Sequence, residues 1–139
     1  MASRGETLLA SGLALAAAGA FAHDAQTNFI LHCQGCHTAT GAGLTGKVPD
    51  LRPNIVPMAM IPAGRRYLVQ VPGVAQSNLS DLEVASVLNW MMRNLADQKD
   101  LANVGAFTQA EVTKYRSSRL LDVRATREKL LGRIATNGR

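Results

Sequence analysis

The sequence has few aromatic residues and only two cysteines. Its rings are three phenylalanines, two tyrosines and one tryptophan among 139 residues. A core with so few rings is thin, and a large buried cofactor would help to fill it. The length suits one domain better than two. The sequence contains neither an internal repeat nor a low-complexity tract.

The sequence has one long uncharged apolar run, from Leu8 to Ala22, and no second one. The run ends in Ala-Phe-Ala, which predicts a secretory signal peptide over residues 1–22 with cleavage before His23. A retained membrane anchor is the alternative. However, a run of about 15 residues is short against the roughly 20 that span a bilayer. We therefore expect an exported, periplasmic protein without a membrane span after signal removal.

Both cysteines lie three positions apart in the segment HCQGCHTATGAG. Such a pair can form a redox disulfide, supply part of a zinc site or attach a haem. An oxidising compartment permits a Cys33–Cys36 disulfide. A thioredoxin-like site needs a strand before the cysteines, whereas the preceding DAQTNFILH looks helical. A structural zinc site needs four ligands, and no further cysteine is present to complete one.

The residue after the second cysteine favours the third use. Cys33, Cys36 and His37 form a C-x-x-C-H motif, whose spacing lets two thiols add to the two vinyl groups of one haem c. The imidazole of His37 then ligates the iron. The pentapeptide also occurs by chance, so its weight comes from the combination with export and the lack of other cysteines. The sequence predicts one haem per chain on these three residues.

Residues 24–96 resemble the small monohaem class I c-type cytochromes. The family keeps an aromatic residue four positions before the first haem cysteine, as Phe29 is here, and a later Pro-x-Leu, which Pro49 and Leu51 match. The segment LSDLEVASVLNWMMRNL looks like the closing helix of the family, and RRYLVQVPGVAQSNLSDLEVASVLNWMM is similar to a subgroup of short bacterial cytochromes. The resemblance implies an all-α fold around the haem. It also implies that the Pro49 carbonyl holds the second nitrogen of His37.

Local signals predict where the first helices begin and end. Asp24 or Thr27 can cap a first helix that runs into the cysteine pair. Residues 38–64 carry four glycines and four prolines, which predicts a loop. Residues 65–71 are predicted as a short helix that stops at Pro72.

A clear amphipathic helix is predicted to start at Ser80. Ser80 and Glu83 match the capping box, in which side chain and backbone bond reciprocally. An apolar stripe at helical spacing follows, consisting of Val84, Leu88, Met91 and Leu95. The stripe supports the fold but says little about function, because any helical domain buries such a face. Trp90 beside it can shield the haem or fill the core.

Residues 97–139 differ in composition from the predicted cytochrome c domain, residues 23–96. They carry nine Lys or Arg against five Asp or Glu, while the domain carries five against four. Thr108 and Glu111 match a second capping box and Asp122 can cap a further helix, which predicts two helices in this extension. A helical appendage that wraps the core is one interpretation, and a docking face for an acidic redox partner is the other. Export and the lack of aromatics interleaved with the basic residues argue against nucleic-acid binding, so we expect no nucleic-acid partner.

The sixth iron ligand departs from the family pattern. The usual methionine lies in a loop before the closing helix, but here that loop, VPGVAQSNLSD, has neither methionine nor histidine. Met58 and Met60, in a proline-flanked segment, are the candidates, with His32 a weaker one. If none of them reaches the iron, the distal site is open.

Two functions follow from these predictions. The preferred one is a periplasmic electron carrier that takes single electrons from a dehydrogenase to a respiratory chain, and it is not an enzyme. The alternative is a haem sensor or peroxidase-like protein with an open distal site. A peroxidase needs distal acid-base groups. Arg65 and Arg66 are the nearest candidates for that role.

Overall fold

The computed structural model describes residues 23–99 and 101–137, and within these ranges the chain is helical and has no β-strand. The predicted all-α fold is therefore confirmed. The expected signal peptide over residues 1–22 lies outside the described residues. The helices in chain order are α1 (Ala25–His32), α2 (Gln34–His37), α3 (Ile55–Ala59), α4 (Pro62–Gln70), α5 (Pro72–Ala75), α6 (Asp81–Asn94), a 3-10 turn (Leu101–Asn103), α7 (Gln109–Arg116) and α8 (Val123–Asn137).

Helix α1 leads directly into the cysteine pair. Of the two predicted caps, Asp24 is the one used, because its carboxylate accepts a hydrogen bond from the backbone of Thr27 at 2.9 Å. At the other end, the backbone N–H of Cys33 donates to the carbonyl of Phe29 at 2.9 Å. The single turn of α2 starts at the next residue, Gln34. The position of α1 therefore determines where the C-x-x-C-H motif begins.

Helix α6 carries the predicted capping box and packs against α1. The hydroxyl of Ser80 accepts from the backbone of Glu83 at 3.3 Å, and the Glu83 carboxylate accepts from the backbone of Ser80 at 2.8 Å. The rings of Phe29 and Trp90 meet between the two helices, with centroids 5.2 Å apart. The predicted stripe faces the core: its members are Val84, Leu88 and Met91, which are buried, and Leu95, which is half-buried.

Residues 38–64, predicted as a loop, contain a complete helix and the start of another. Helix α3 begins at Ile55 and α4 at Pro62, so the loop prediction is wrong for these parts. The prediction treated every proline as a helix breaker. Pro57 and Pro62 instead lie in first turns, where a backbone N–H has no intrahelical acceptor to lose.

Helices α3 and α4 pack closely against each other. A Cβ atom at Gly64 would clash with the backbone carbonyl of Met58, so only glycine allows this approach. Helix α4 starts three residues earlier than predicted and ends at Gln70, before Pro72 as expected. Pro72 was expected only to stop a helix, but it also starts the short α5, again from a first-turn position.

Helix α7 ties the extension to the core. Arg65 pairs with Glu111 at 2.6 Å, and the side chain of Asn89 bonds both backbone groups of Phe107 at 2.8 and 2.9 Å. Thr108 caps α7 by accepting from the backbone of Glu111 at 3.2 Å. The Glu111 carboxylate accepts from Arg65 and not from the backbone of Thr108, so the reciprocal bond of the predicted capping box is not formed. Phe107 is buried in the same core as α6.

Helix α8 packs on α3 and α4. It starts at the predicted cap, where the carboxylate of Asp122 accepts from the backbone of Ala125 at 2.9 Å. Leu130 is buried against the core. The extension therefore wraps the core, as one of the two interpretations expected. In the part of the chain that the structure describes, no helix is both long and apolar enough to cross a membrane.

Candidate functional site

A cavity of about 240 Å³ lies beside the cysteine pair. It is enclosed by residues of α1, α3, α4, α6 and α8, and it opens to solvent where Cys36, Pro49 and Gly73 are exposed. Its apolar wall consists of Leu51, Ile55, Met58, Leu68, Val71, Val74, Leu88, Met91 and Val123. Such a wall suits a flat apolar group with one edge left in solvent.

All three residues of the C-x-x-C-H motif line this cavity. The backbone N–H groups of Cys36 and His37 both point to the carbonyl of Cys33, at 3.2 and 2.9 Å, so the motif forms one tight turn. Both cysteines are free thiols, Cys33 half-buried and Cys36 exposed. The turn thus directs two thiols and one imidazole toward a single space.

The imidazole of His37 is held by a backbone carbonyl. Its Nδ1 lies 3.2 Å from the oxygen of Pro49, the contact that the family resemblance implied. A carbonyl oxygen can only accept, so Nδ1 carries the proton and Nε2 keeps a free lone pair. Burial lowers the pKa of His37 and outweighs the hydrogen bond to Pro49, which raises it. His37 is therefore a neutral imidazole, the form that ligates a metal.

The loop between His37 and Pro49 is folded back on itself, which is what brings the two residues together. The backbone of Gly43 donates to the carbonyl of His37 at 3.1 Å. An isolated β-bridge joins Leu44 and Val48, with N–H to carbonyl distances of 3.0 and 2.8 Å. The position of the Pro49 carbonyl thus depends on local backbone bonds within the loop.

The environment of Cys33 argues against a redox disulfide and against zinc. Burial, followed by the nearby Cys36, raises the pKa of Cys33 to about 11, so the thiolate is scarce at neutral pH. Cysteines that exchange disulfides have lowered pKa values. The described residues also contain no group of three His, Cys, Asp or Glu side chains arranged to hold a metal ion. The structure therefore supports neither a redox disulfide nor a zinc site at the cysteine pair.

The structure separates the two methionines proposed for the iron. Met58 is 2% exposed and lines the cavity, whereas Met60 is 46% exposed and is not part of the wall. Met91, expected to be core, is buried and also lines the cavity. His32 lies at the cavity edge and is exposed. Met58 is thus the candidate ligand that the fold brings to the site.

The distal groups considered for a peroxidase do not reach the cavity. The guanidinium of Arg65 pairs with Glu111 and lies 4.0 Å from the ring centroid of Phe107. Arg66 is exposed, and its guanidinium lies 5.4 Å from the ring centroid of Tyr115. Trp90 packs on Phe29 and is absent from the cavity wall, so it fills the core.

Several wall residues were not predicted from the sequence. Tyr67 comes from α4, and Val123 and Arg127 come from α8, about 90 positions after the cysteine pair. For Val123 and Arg127 the only sequence signal was the predicted helix after Asp122, and a predicted helix does not indicate which part of the core it covers. The contact of α8 with the cavity is a property of the tertiary fold.

The donor set and the wall fit a haem. Two thiols and a neutral imidazole with a free Nε2 line the cavity, and aliphatic and thioether side chains form most of the remaining wall. The enclosed volume is below the roughly 300–1,000 Å³ of sites that surround a whole ligand. A haem held by these residues would therefore be enclosed only in part, and one edge would remain outside the cavity.

Comparison with known proteins agrees with this fit. The chain is 34% identical over 143 residues to a cytochrome c-552 of Thermus thermophilus, covering 88% of this chain and 93% of that protein. It is 32% identical over 118 residues to a second cytochrome c-552 of Thermus thermophilus, covering 70% of this chain and 90% of that protein. No family model and no solved structure matches the chain.

Proposed function

This chain belongs to the family of small c-type cytochromes, and on that premise we propose that it is a periplasmic carrier of single electrons. One haem c per chain is attached through the thiols of Cys33 and Cys36, and His37 ligates its iron. Cytochromes c generally transfer electrons rather than act as enzymes. The proposal adds three points to this general role: the periplasmic location, one haem per chain and the residues that hold the haem.

The observation that carries the proposal is the bond between His37 and Pro49. It fixes Nδ1 as the donor at 3.2 Å and leaves Nε2 available beside two free thiols. A histidine that only filled the core would not need to line an apolar cavity beside two thiols. The hydrogen bond also makes the imidazole a stronger ligand, as partners of metal-bound histidines do.

The side chains around the cavity explain how a bound haem would serve as a carrier. The group supplies an iron that gains and loses one electron. The aliphatic wall excludes water and disfavours the extra positive charge of ferric iron, which raises the reduction potential. Because the cavity is open to solvent near Cys36, an electron could pass to a docked protein without a conformational change in either partner.

Covalent attachment is tested by the two cysteines separately and together. Wild-type protein made with the c-type maturation machinery should keep its haem in acid-acetone, while Cys33→Ala with Cys36→Ala should lose it. Each single variant should keep one thioether link and show a shifted pyridine haemochrome band. His37→Ala should keep the haem but lose the proximal ligand. Extractable haem in the wild type would contradict the proposal.

The proposed export and the proposed redox partners are inferred from the sequence pattern alone. A signal peptide that ends before His23 would deliver the protein to the periplasm, where a dehydrogenase or another respiratory component would be its redox partner. Mass spectrometry of protein from the periplasmic fraction tests this point, because the mature N-terminus should be His23. A mass that includes residues 1–22 would contradict cleavage.

An open distal site is the alternative function, and one observation favours it. The segment before α6 contributes only Val71, Gly73 and Val74 to the described cavity wall, and none of these side chains ligates iron. A sensor would then bind a small gas at the iron. Rapid carbon monoxide binding to the ferrous protein favours the sensor, whereas no binding within minutes favours the carrier.

A further inference from the structure

Asn28 of α1 is a buried amide whose oxygen accepts no hydrogen bond from a described residue. The side chain is 1% exposed. Its Nδ2 donates to the backbone carbonyl of His23 at 3.2 Å and to Oε1 of Glu83 at 3.5 Å. Both partners are acceptors, so the amide cannot be turned round, and Oδ1 is the atom without a partner among residues 23–99 and 101–137. A buried oxygen of this kind costs free energy until a donor reaches it.

Two carboxylates lie close to this amide. Glu83 uses Oε2 for the capping box, where it accepts from the backbone and the hydroxyl of Ser80 at 2.8 and 2.7 Å, and among the described side chains its Oε1 contacts only Asn28. Asp24, the cap of α1, accepts from Thr27 through both oxygens. The ion pairs of the described residues join other side chains. Within this part of the chain, Glu83 and Asp24 are therefore carboxylates without a paired cation.

His23 lies beside the Glu83 carboxylate. Hydrogen bonds from Ser80 lower the pKa of Glu83 most, and the charge of His23 lowers it slightly further. The backbone nitrogen of His23 is two bonds from the carbonyl carbon that faces Asn28, which keeps this nitrogen within roughly 7 Å of Nδ2. Because His23 is exposed, rotation about its ψ angle can bring the nitrogen closer without moving the carbonyl.

Removal of the signal peptide would change the chemistry of this nitrogen. Hydrolysis of the bond between residues 22 and 23 consumes one water, leaves a carboxylate on the released peptide and converts the amide of His23 into an α-ammonium group. An α-amino group has an ordinary pKa of about 7.7–8.0, so it is mostly charged at neutral pH. It then offers three donor hydrogens, as a lysine side chain does.

We propose that Asn28 and Glu83 form a binding site for a primary ammonium group, which the chain's own N-terminus at His23 supplies after export. This inference rests on the proposed function, since it requires cleavage before His23. One hydrogen donates to Oδ1 of Asn28 and another to Oε1 of Glu83. The positive end of α1 alone would repel a cation, and the carboxylates of Glu83 and Asp24 offset this repulsion.

The ammonium group would join the starts of α1 and α6, two helices that also meet through the rings of Phe29 and Trp90. Cys33 directly follows α1, so this bond braces the helix that leads into the haem-binding motif. A precursor that retains residues 1–22 has an amide at this position and cannot form the ion pair. The site therefore distinguishes the processed protein from its precursor.

The pKa of the α-amino group tests this proposal. Holoprotein is exported as wild type, Glu83→Gln and Ser80→Ala, and as a chain with one glycine inserted before His23. Trace acetylation from pH 6 to 10, read by mass spectrometry of the N-terminal peptide, measures this group alone. Ser80→Ala is the matched control, because it removes a hydrogen bond of the capping box and keeps the Glu83 carboxylate. The other titratable groups near the starts of α1 and α6 remain in all four proteins: the imidazole of His23, Asp24, and Asp81, which is paired with an arginine of α7.

The α-amino pKa of the wild type should lie at least one unit above its ordinary range, a tenfold change in the ionisation constant. Glu83→Gln and the chain with the inserted glycine should return toward the ordinary range, and Ser80→Ala should stay raised. An ordinary pKa in wild-type holoprotein whose terminus is His23 overturns the proposal while the proposed function stands. A terminus other than His23 contradicts the proposed cleavage and overturns this inference with it, so the two failures are distinguishable.

A second variant decides the case in which Glu83→Gln does not accumulate with haem. Asn28→Leu replaces the amide by an apolar group of the same branched shape and keeps the Glu83 carboxylate. It should lower the α-amino pKa by a smaller amount than the inserted glycine does, because a hydrogen bond to the charged form favours that form. An unchanged α-amino pKa in Asn28→Leu overturns the proposal.

Discussion

Gly43 lies directly against the carbonyl oxygen of Pro49. A Cβ atom at position 43 would lie 2.5 Å from that oxygen, and the residue has a φ of +69°. The same carbonyl accepts the hydrogen bond from Nδ1 of His37. The small size of one residue in the loop therefore sets the orientation of the imidazole.

Gly43→Ala is expected to disturb the His37 ligand, and Gly46→Ala is its control. Gly46 also has a positive φ, +74°, but a Cβ atom there meets nothing within 4 Å. Both variants carry the backbone cost of about 1–2 kcal/mol, while Gly43→Ala adds an overpacking cost of about 1–3 kcal/mol. Urea unfolding of the two holoproteins measures the difference.

The reduction potential gives a second readout of the same loop. A weaker bond from His37 to Pro49 makes the imidazole a poorer donor to ferric iron, so the potential of Gly43→Ala should rise. Gly46→Ala should keep the wild-type potential. Equal stability and equal potential in the two variants would mean that the Gly43 contact does not position the imidazole.

The extension is expected to contribute to global stability. Leu130 in α8 is 4% exposed and Leu121, just before α8, is 98% exposed, which gives a matched pair of Leu→Ala changes. Leu130→Ala should lower the free energy of unfolding by about 2–5 kcal/mol, because it leaves a cavity in the core. Leu121→Ala should stay within about 0.5 kcal/mol of the wild type. A similar small loss in both would show that α8 is not part of the cooperative core.

Surface charge on the extension is expected to guide an acidic partner. Removing residues 105–139 is a poor test, since it would also remove the buried Phe107 and Leu130. Arg119→Gln with Arg133→Gln changes only exposed cations, and Lys47→Gln with Arg93→Gln makes the same charge change on the cytochrome c domain. With ferricyanide as anionic oxidant, the wild-type rate should fall with salt, because the Debye length falls from about 10 Å at 0.1 M to about 3 Å at 1 M.

The two double variants decide where that attraction originates. The change at Arg119 and Arg133 should flatten the salt dependence, and the change at Lys47 and Arg93 should leave it nearly as steep. A cationic cobalt complex should show the opposite salt trend, which checks that charge and not viscosity is responsible. Equal flattening in both variants would assign the effect to net charge rather than to a docking face.

Short-range signals in the sequence predicted features that are local in the chain. The capping box at Ser80 and the turn of the cysteine pair each depend on residues within a few positions, so their patterns were sufficient, whereas the first cap was left open between Asp24 and Thr27. Helix α3 was missed because its five residues include Pro57, and so short a helix is stabilised by packing on α4 rather than by its own propensity.

The contribution of α8 to the cavity could not be predicted for a different reason. Arg127 and His37 are far apart in sequence, and nothing in either segment indicates that they share a wall. Charge composition alone made the extension look like a docking surface. The sequence pattern identified the caps of α6, α7 and α8, and the tertiary packing decided which cations face the cavity.

The methionines of α3 and its end provide the last prediction. Met58 lines the cavity, and its backbone carbonyl is packed against Gly64 of α4, so its position is fixed by two helices. Met60 lies two residues further on and is 46% exposed. A thioether ligand stabilises ferrous iron and raises the reduction potential. We therefore expect Met58, and not Met60, to ligate the iron.

Single Met→Leu changes test this assignment with little change in side-chain volume, which keeps the stability cost below about 1.5 kcal/mol. Met58→Leu should remove the weak charge-transfer band of the ferric protein at the red edge of the visible spectrum and lower the potential. Met60→Leu should change neither. If both variants keep the wild-type spectrum and the ferrous wild type binds carbon monoxide rapidly, the distal position is open. The sensor would then replace the carrier as the better account, because an iron without a sixth side chain is free to bind a gas.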